Sequence, residues 1–315
     1  MKRRLHILIL ILCFSLSTFV FGQTNTSAVS QTGNNHNAEV KQVGSLNSSD
    51  IIQNGDSNVA IADQLGAENG VYIDQQGAGN GAEVWQTGSF NDANILQIGD
   101  LNRLQLFQDG NNNGSNSEQL GHRNNSYQEQ TGNDNYSNVM QRGNDNKSDV
   151  YQTGNSNLNN IFSSEHQLGD NNDSFVVQIG NANISGVNQL GNDNEGDIYQ
   201  TGNNNGGFVT QGYGGAGSYD NDRNRATVTQ NGNNNFGAVD QLFGANDGSD
   251  DNFSSIFQQG NNNWARNTQW GDFNFSAINQ VGNNNFSEVL QNGDNHSSVV
   301  NQIGNSNTVN VSQGN

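Results

Sequence analysis

A glutamine recurs every 11 residues through the first half of this 315-residue chain. From Gln31 to Gln152 it stands at 12 positions without any change in spacing, and each time a glycine follows two residues later. The same phase resumes after three longer gaps and continues to Gln313, which gives 25 glutamine positions. A fixed period of this kind indicates a chain built from stacked copies of one structural unit. It constrains the possible folds more than any other feature of the sequence.

Within each unit, restricted positions alternate with variable ones. Asn stands six residues before the glutamine in 22 of 25 units, and the exceptions are His36, His296 and Ile161. A small residue stands four before it in 22 units, and Val, Ile or Leu stands two before it in 20. A period of two is typical of a β-strand with one specified face. We expect this face to be the interior, where stacked amides hydrogen-bond to copies of themselves. The predicted amide ladder includes Asn47, Gln53, Asn58, Gln64, Asn135, Gln141, Asn146, Gln152, Asn274 and Gln280.

The glycine and the polar residues after it predict a tight corner, because Gly, Asn and Asp tolerate positive φ angles. Strand and corner together take 11 residues, so two units are needed to close one coil of 22. We therefore predict an all-β fold, a parallel β-solenoid of roughly 12 two-strand coils stacked at strand spacing. An antiparallel meander would give the same 11-residue signal and is the alternative. Stacking of like amide on like amide favours the parallel solenoid.

Three insertions interrupt the period, and one segment precedes it. The gaps after Gln152, Gln211 and Gln241 are longer by 4, 8 and 6 residues. We expect corner insertions near residues 158–166, 212–223 and 242–251, because a corner can bulge without disturbing the stack. Residues 1–22 have a basic start and a short apolar run, which is typical of a secretory signal peptide; a membrane anchor is the alternative. The predicted organisation is a signal peptide, 1–22, and one solenoid domain, 23–315.

The charge of the chain narrows the class of partner. Loss of Lys2, Arg3 and Arg4 with the signal peptide lowers Lys plus Arg from 11 to 8 against 30 Asp plus Glu, so the net charge moves from −19 to −22. Such a chain repels nucleic acid and anionic membrane surfaces, and we expect neither nucleic-acid binding nor membrane insertion of the mature chain. High charge and low hydrophobicity are also typical of disordered chains, but the strict period and the absence of proline favour a continuous β-ladder.

The residue pattern does not predict a catalytic or metal site. Cys13 is the only cysteine and lies in the signal segment, so disulfides and cysteine metal sites are not expected in the mature chain. His36 and His296 are interpreted as substitutions in the Asn row. The corner acids, such as those at 144–146 and 247–251, lack the fixed Asp spacing of calcium-binding β-rolls. We expect no cofactor and predict that the protein is not an enzyme.

The pattern Gln-x-Gly-x-x-Asn-x-Ala/Ser-x-Val/Ile-x-Gln resembles the curlin repeat, which occurs in the subunits of curli, the functional amyloid fibres of bacterial biofilms. Clear copies run from Gln53 to Gln64 and from Gln280 to Gln291, and the resemblance extends from Asn25 to Asn315. It implies a secreted fibre subunit on the surface of a diderm bacterium, with roles in the biofilm matrix and in adhesion. It also implies two partners, an outer-membrane secretion pore and a nucleator subunit. Familiar curlins carry a targeting segment after the signal peptide, whereas here only Gln23 and Thr24 precede the repeat pattern.

The expected mechanism is self-assembly by end-to-end stacking, because the terminal coils of a solenoid carry unpaired strand edges. The alternative is a monomeric secreted adhesin or stalk that binds surfaces or ligands without polymerising. The residues expected at the self-assembly edges are Asn25, Val29, Gln31, Val40, Gln42, Val300, Gln302, Asn307, Val311 and Gln313.

Overall fold

The computed structural model describes residues 24–159, 165–212, 222–242 and 250–314. The expected signal peptide, 1–22, lies outside these residues, as do segments 160–164, 213–221 and 243–249 of the three insertions. All regular secondary structure in the described part of the chain is β-strand. No helix long and apolar enough to cross a membrane is found among these residues.

Most strands are seven or nine residues long, and they follow one another at the spacing of the sequence repeat. In chain order they are β1 (Thr26–Asn34), β2 (Asn37–Ser45), β3 (Ser48–Asp56), β4 (Val59–Ala67), β5 (Gly70–Ala78), β6 (Gly81–Ser89), β7 (Asp92–Ile98), β8 (Arg103–Asn111), β9 (Gly114–Leu120), β10 (Asn125–Asn133), β11 (Tyr136–Arg142), β12 (Lys147–Asn155), β13 (Leu158–Asn159), β14 (Glu165–Leu168), β15 (Asp173–Asn181), β16 (Ile184–Leu190), β17 (Glu195–Thr201), β18 (Gly206–Gln211), β19 (Arg225–Asn231), β20 (Phe236–Leu242), β21 (Phe253–Gln259), β22 (Trp264–Trp270), β23 (Phe275–Val281), β24 (Phe286–Asn292), β25 (Ser297–Ile303) and β26 (Thr308–Gly314).

Consecutive strands alternate between two parallel sheets. The first, which we name the long sheet, runs β1-β3-β5-β7-β9-β11-β13-β16-β18-β20-β22-β24-β26, with β14 between β11 and β16 as well. The second, the short sheet, runs β2-β4-β6-β8-β10-β12-β15-β17-β19-β21-β23-β25. Because β13 and β14 share one layer, the described residues form 13 layers in the long sheet and 12 in the short sheet. The predicted parallel β-solenoid of about 12 coils is confirmed, and the antiparallel meander is wrong.

The register stacks each interior row on itself from coil to coil. Gln31 pairs with Gln53 in the long sheet, and Gln42 pairs with Gln64 in the short sheet. Along each strand, buried residues alternate with more exposed ones, and the buried set is the Asn, small, aliphatic and Gln rows. The aliphatic and Ala side chains form two apolar clusters, one from Ile51 to Leu106 and one from Val139 to Val300.

The corner glycines are required by close stacking of one coil on the next. Gly55 has φ +117°, and a Cβ atom at this position would lie 2.1 Å from the carbonyl oxygen of Gly77 in the following coil. Two residues after each such glycine, the chain again adopts positive φ, as at Ser57 (57°) and even at Leu46 (59°). The left-handed region is unfavourable for a branched apolar residue, so the corner geometry overrides the local preference of Leu46.

The stack continues across all three insertions. Layer partners that are usually 22 residues apart are 26 apart for Gln152 and Gln178, 30 apart for Gln200 and Gln230, and 28 apart for Gln230 and Gln258. Flanking residues Gly212 and Asp222, and Leu242 and Asp250, place the second and third insertions at corners.

The first insertion departs from the predicted corner position. Ser137 pairs with Asn159 and Val139 pairs with Glu165, so the extra residues lie inside the strand, between β13 and β14. Asn157, and not position 161, continues the Asn row, because its backbone N–H donates to Asn135 Oδ1 (3.0 Å) and its Nδ2 donates to the Gly180 carbonyl (2.8 Å). These bonds to two neighbouring coils hold the start of the strand in register.

Candidate functional site

The Gln row forms a hydrogen-bonded ladder inside the solenoid. Nε2 of Gln64 donates to Oε1 of Gln86 in the next coil (3.0 Å) and to the Ser48 carbonyl of the opposite sheet (3.0 Å). The first bond links successive layers, and the second links the two sheets. Gln64 is fully buried, and a buried amide is tolerated only when its hydrogen-bonding groups are paired in this way.

The Asn row forms a second ladder at the start of each strand. The backbone N–H of Asn69 donates to Asn47 Oδ1 in the preceding coil (3.1 Å), and Asn69 Nδ2 donates to the Gly88 carbonyl (2.9 Å). Asn69 Oδ1 in turn accepts from the backbone N–H of Asn91 (3.0 Å). The Asn side chain therefore fastens the corner of one coil to the strand start of the next.

The ten residues predicted for the amide ladder all lie in these two rows, and each is at most 1% exposed. Hydrogen bonds along the stack join Gln53 to Gln75 (2.9 Å), Gln152 to Gln178 (2.8 Å) and Gln280 to Gln302 (2.8 Å). The remaining members each hydrogen-bond to the residue of the same row in a neighbouring coil, which for one of them is His36. They are Asn47, Asn58, Gln64, Asn135, Gln141, Asn146 and Asn274.

Both ladders have a direction. Within the described ladder, Gln side chains donate from Nε2 toward the C-terminal end of the solenoid, as Gln53 does to Gln75. Each Asn turns its Oδ1 toward the same end, where the backbone N–H of the next Asn donates to it. The C-terminal face of the solenoid thus presents Gln N–H donors and Asn oxygen acceptors. The N-terminal face presents the complementary Gln oxygens and Asn N–H groups.

At the N-terminal face, the outermost described strand has no covering layer. Every residue of β1 is exposed, and the interior-row residue Val29 is 49% exposed. Gln31 donates from Nε2 to Gln53 Oε1 (2.7 Å), which directs its own Oε1 away from the body. In β2, Val40 and Gln42 are half-buried, and Asn25, just before β1, is also half-buried.

At the C-terminal face the predicted edge residues differ in exposure. Asn307, Val311 and Gln313 of the last coil are half-buried, whereas Val300 and Gln302 in β25 are only 4% and 3% exposed. Val309 and Val311 of β26 pack against the apolar cluster that contains Val300, so the last strand of the long sheet screens β25 from the side. The face is therefore a step in which β26 stands ahead of β25.

The two histidines of the Asn row lie near the two ends of the described solenoid. His36 Nδ1 accepts from the backbone N–H of Asn58 (3.3 Å), and its Nε2 lies 3.1 Å from the Thr32 carbonyl oxygen. The backbone N–H of His296 donates to Asn274 Oδ1 (2.9 Å), and its Nε2 lies 3.3 Å from the Asn292 carbonyl oxygen. Both imidazoles take the place of an Asn amide, as the spacing predicts.

An aromatic ladder on the outer face of the short sheet was not predicted. Neighbouring ring centroids lie 4.4 Å apart for Trp85 and Phe107, and 5.3 Å apart for Tyr127 and Tyr151, within the range of favourable aromatic pairs. The signal was present in the sequence as an aromatic residue one or three positions before the glutamine in every second unit from Gln86 to Gln200. The ladder consists of Trp85, Phe107, Tyr127, Tyr151, Phe175 and Tyr199.

Acidic residues flank this ladder, and partial burial raises pKa values in this region. Desolvation raises the pKa of Asp197 to about 6, and repulsion by Glu195 adds to the effect. Burial likewise raises the pKa of Tyr127 to about 12, together with its hydrogen bond to Glu129. No group of three or more His, Asp or Glu side chains that could hold a metal ion is found in the described ranges.

The repeat of this chain matches the model of a known family. Three segments of the chain match the model of the curlin associated repeat, at residues 47–77, 66–99 and 282–314. The first two cover β3 to β7 near the N-terminal face, and the third covers β24 to β26 at the C-terminal face. No curated protein matches the chain.

Proposed function

Since the chain belongs to the curlin-repeat family, we propose that it is a structural subunit of an extracellular curli-like amyloid fibre. In this function the mature protein is exported by a diderm bacterium through an outer-membrane pore and is seeded on the cell surface by a nucleator subunit. The fibre contributes to the biofilm matrix and to cell adhesion. The protein performs no catalysis in this role.

The observation that carries the proposal is the complementarity of the two solenoid faces. The C-terminal face offers Gln N–H donors and Asn oxygens, and the N-terminal face offers the matching acceptors and donors. Unpaired strand edges of this kind are usually covered in proteins that remain monomeric. The edge strands β1 and β26 also leave interior-row residues such as Val29 and Val311 partly open to solvent.

Assembly then follows the same rules as the fold. An incoming subunit adds its strands in register to an open edge, which extends the backbone ladder, the amide ladders and the apolar row at once. Each junction buries apolar surface and pairs edge groups that water otherwise solvates. A subunit docked head to tail recreates the open edge, so growth continues.

The test is fibre formation by the purified chain from Gln23 onward at micromolar concentration. We expect a lag phase, shortening of the lag by added seeds, and fibres with a meridional reflection at about 4.8 Å, the spacing of paired strands. A chain that stays folded and monomeric for days in the presence of seeds would contradict the proposal.

Matched variants locate the docking surface. Gln302→Ala removes an N–H donor at the C-terminal face, and Gln31→Ala removes an acceptor at the N-terminal face, so both should slow seeded elongation. Gln141→Ala removes the same side chain from the middle of the stack and should affect elongation less. Equal slowing by all three changes would argue against docking through the ends.

The second candidate is a monomeric secreted adhesin, and the outer aromatic ladder is the observation that favours it. Rings such as Trp85 and Phe107 stack face to face on the outside of the short sheet, where they are available to a flat ligand. The same fibre assay separates the two candidates, because an adhesin keeps its monomeric state with seeds present.

A further inference from the structure

The two faces of the solenoid are steps and not flat surfaces. The long sheet has 13 described layers and the short sheet has 12, so the strands β1 and β26 that stand foremost at the two faces belong to the same sheet. At one face β1 is fully exposed while β2 is partly covered, and at the other β26 screens β25. Each face therefore has a ridge on the long-sheet side and a notch on the short-sheet side.

Two head-to-tail junctions between copies are conceivable with this shape. If the second copy keeps the orientation of the first, its β1 stacks on β26 and the two ridges meet. A gap one strand wide then separates β25 from β2 of the second copy, and the edge of β25 stays unpaired. If the second copy is turned by half a turn about the solenoid axis, its β1 enters the notch beside β25 and its β2 stacks on β26. No layer is then missing from either sheet.

Only the half-turn junction continues every interior row. Interior residues of β25 are Ser298, Val300 and Gln302, and they would meet Ser27, Val29 and Gln31 of the next copy, which are the same residue types in the same order. Gln313 Nε2, which donates to the Ser297 carbonyl within its own chain (3.0 Å), would gain Gln42 Oε1 as its ladder partner.

The same-orientation junction completes fewer bonds. It would supply a partner for Gln313 but none for Gln302, whose Nε2 donates to the Phe286 carbonyl (2.9 Å) and needs a ladder acceptor above it. Amide and backbone groups that stay unpaired beside a junction destabilise it, so the half-turn junction, which pairs them, is the more stable of the two.

We propose that successive copies of this chain are related by a half-turn about the fibre axis, so that the short sheet of one copy continues as the long sheet of the next. The partner at each face is a second copy of this chain. The inference rests on the proposed function, since it concerns the junction within the fibre. Its structural consequence is a repeat of two subunits, in which outer features such as the aromatic ladder alternate between opposite sides of the fibre.

Disulfide formation tests the junction directly, because the chain from Gln23 onward contains no cysteine. Ala28 and Val299 both lie three residues before a ladder glutamine and face outward, with Val299 61% exposed. In the half-turn junction their Cα atoms would be about 4.8 Å apart on paired strands, within the range of roughly 4.4–6.8 Å that a disulfide spans. Fibres of the Ala28→Cys/Val299→Cys double variant should therefore form covalent multimers on mild oxidation.

The matched control is Ala28→Cys/Asn310→Cys, because Asn310 occupies the equivalent outward position in β26 and would pair with Ala28 only in the same-orientation junction. We expect this variant to form fibres that run as monomers on a non-reducing denaturing gel. Cross-linking in the control variant, in both variants or in neither overturns the half-turn while fibres still form. Absence of fibres from both variants and from the parent chain instead contradicts the proposed function.

Discussion

The layers around Ile73 and the layers around Gln128 share one backbone register, but the interior is apolar around Ile73 and polar around Gln128. Ile73 is fully buried in a cluster with Ala60 and Ala82. Gln128 occupies the equivalent interior position but hydrogen-bonds to hydroxyl groups, accepting from Ser115 Oγ (2.8 Å) and donating to Ser117. The apolar clusters end at Leu106 and resume at Val139, so this polar layer divides the core in two.

The difference separates two tasks within the repeat. The amide ladders pass through the polar layer without interruption, since Gln108 donates to Gln130 (2.8 Å) and Gln119 donates to Gln141 (2.8 Å). The Asn and Gln rows therefore maintain the register in the polar layer as they do in the apolar ones. The aliphatic row supplies burial energy and can be replaced locally, provided that the polar substitute finds partners.

A second polar position follows the same rule. Asn267 stands in the aliphatic row, donates to Ser254 Oγ (2.8 Å) and accepts from Ser276 Oγ (2.8 Å). These serines lie 13 residues before it and 9 residues after it in the chain. The same offsets place Ala60 and Ala82 beside Ile73, and Ser126 and Ser148 beside Val139. The facing residues decide whether an amide can be buried.

The largest expected effect comes from placing an amide between two alanines. Ile73→Asn loses apolar burial and leaves the amide without hydroxyl partners, and we expect it to destabilise the monomer by about 4 kcal/mol. Thermal unfolding by circular dichroism, with hydrogen exchange of β4 to β6, would measure the loss. Local opening of these strands is expected, because a solenoid is stabilised by contacts between neighbouring layers.

The matched variant Val139→Asn places the same amide between Ser126 and Ser148. We expect a loss of only about 2 kcal/mol, because hydrogen bonds to the two hydroxyls offset part of the desolvation. If Val139→Asn destabilises the monomer as much as Ile73→Asn, the facing serines do not determine tolerance and the rule is wrong.

The sequence predicted the repeating part of this molecule well, because each feature recurs two dozen times and a local error is corrected by the phase. The solenoid, the buried rows and the corner at residues such as Gly55 follow from the period and from backbone sterics. Two single events could not be predicted from the period. The first insertion separates β13 from β14 within one layer while Asn157 keeps its place in the Asn row, and the screening of Gln302 depends on the step at the C-terminal face.

An intermediate effect on stability is expected from replacing the polar interior around Gln128 with apolar residues, as in the layers around Ile73. The combination Ser115→Ala, Ser117→Val and Gln128→Leu should stabilise the monomer by about 2 kcal/mol, because the buried aliphatic area gained outweighs the hydrogen bonds lost. Urea unfolding of the variant and of the parent chain would measure this gain. The single change Gln128→Leu is the control and should destabilise, since it leaves Ser115 and Ser117 buried without their amide partner. A triple variant less stable than the parent would show that the polar layer contributes more than packing.

The smallest expected effect on stability concerns Asp197, a half-buried acid on the outer face of the layer whose interior contains Ile198. Burial raises the pKa of Asp197 to about 6 from 3.8, so the folded chain binds this proton more tightly than the unfolded chain does. The resulting stability is fully present below the unfolded pKa, near 3.8, and is lost as the pH rises through about 6. Asp197→Asn should therefore stabilise the monomer at pH 7.5 by about 1–2 kcal/mol.

The pH dependence distinguishes this cause from a general loss of negative charge. The stabilising effect of Asp197→Asn should disappear near pH 4, where the native carboxyl is also neutral, and thermal unfolding across pH 4 to 8 would show it. Asp109→Asn removes the same charge from an exposed position on the same outer face and is expected to change the unfolding temperature much less. If both variants stabilise equally, long-range repulsion within the acidic chain is the cause. Burial without a hydrogen-bond partner would then be costly only for interior positions, such as those of Gln128 and Ile73, and not for a polar group on the outer face.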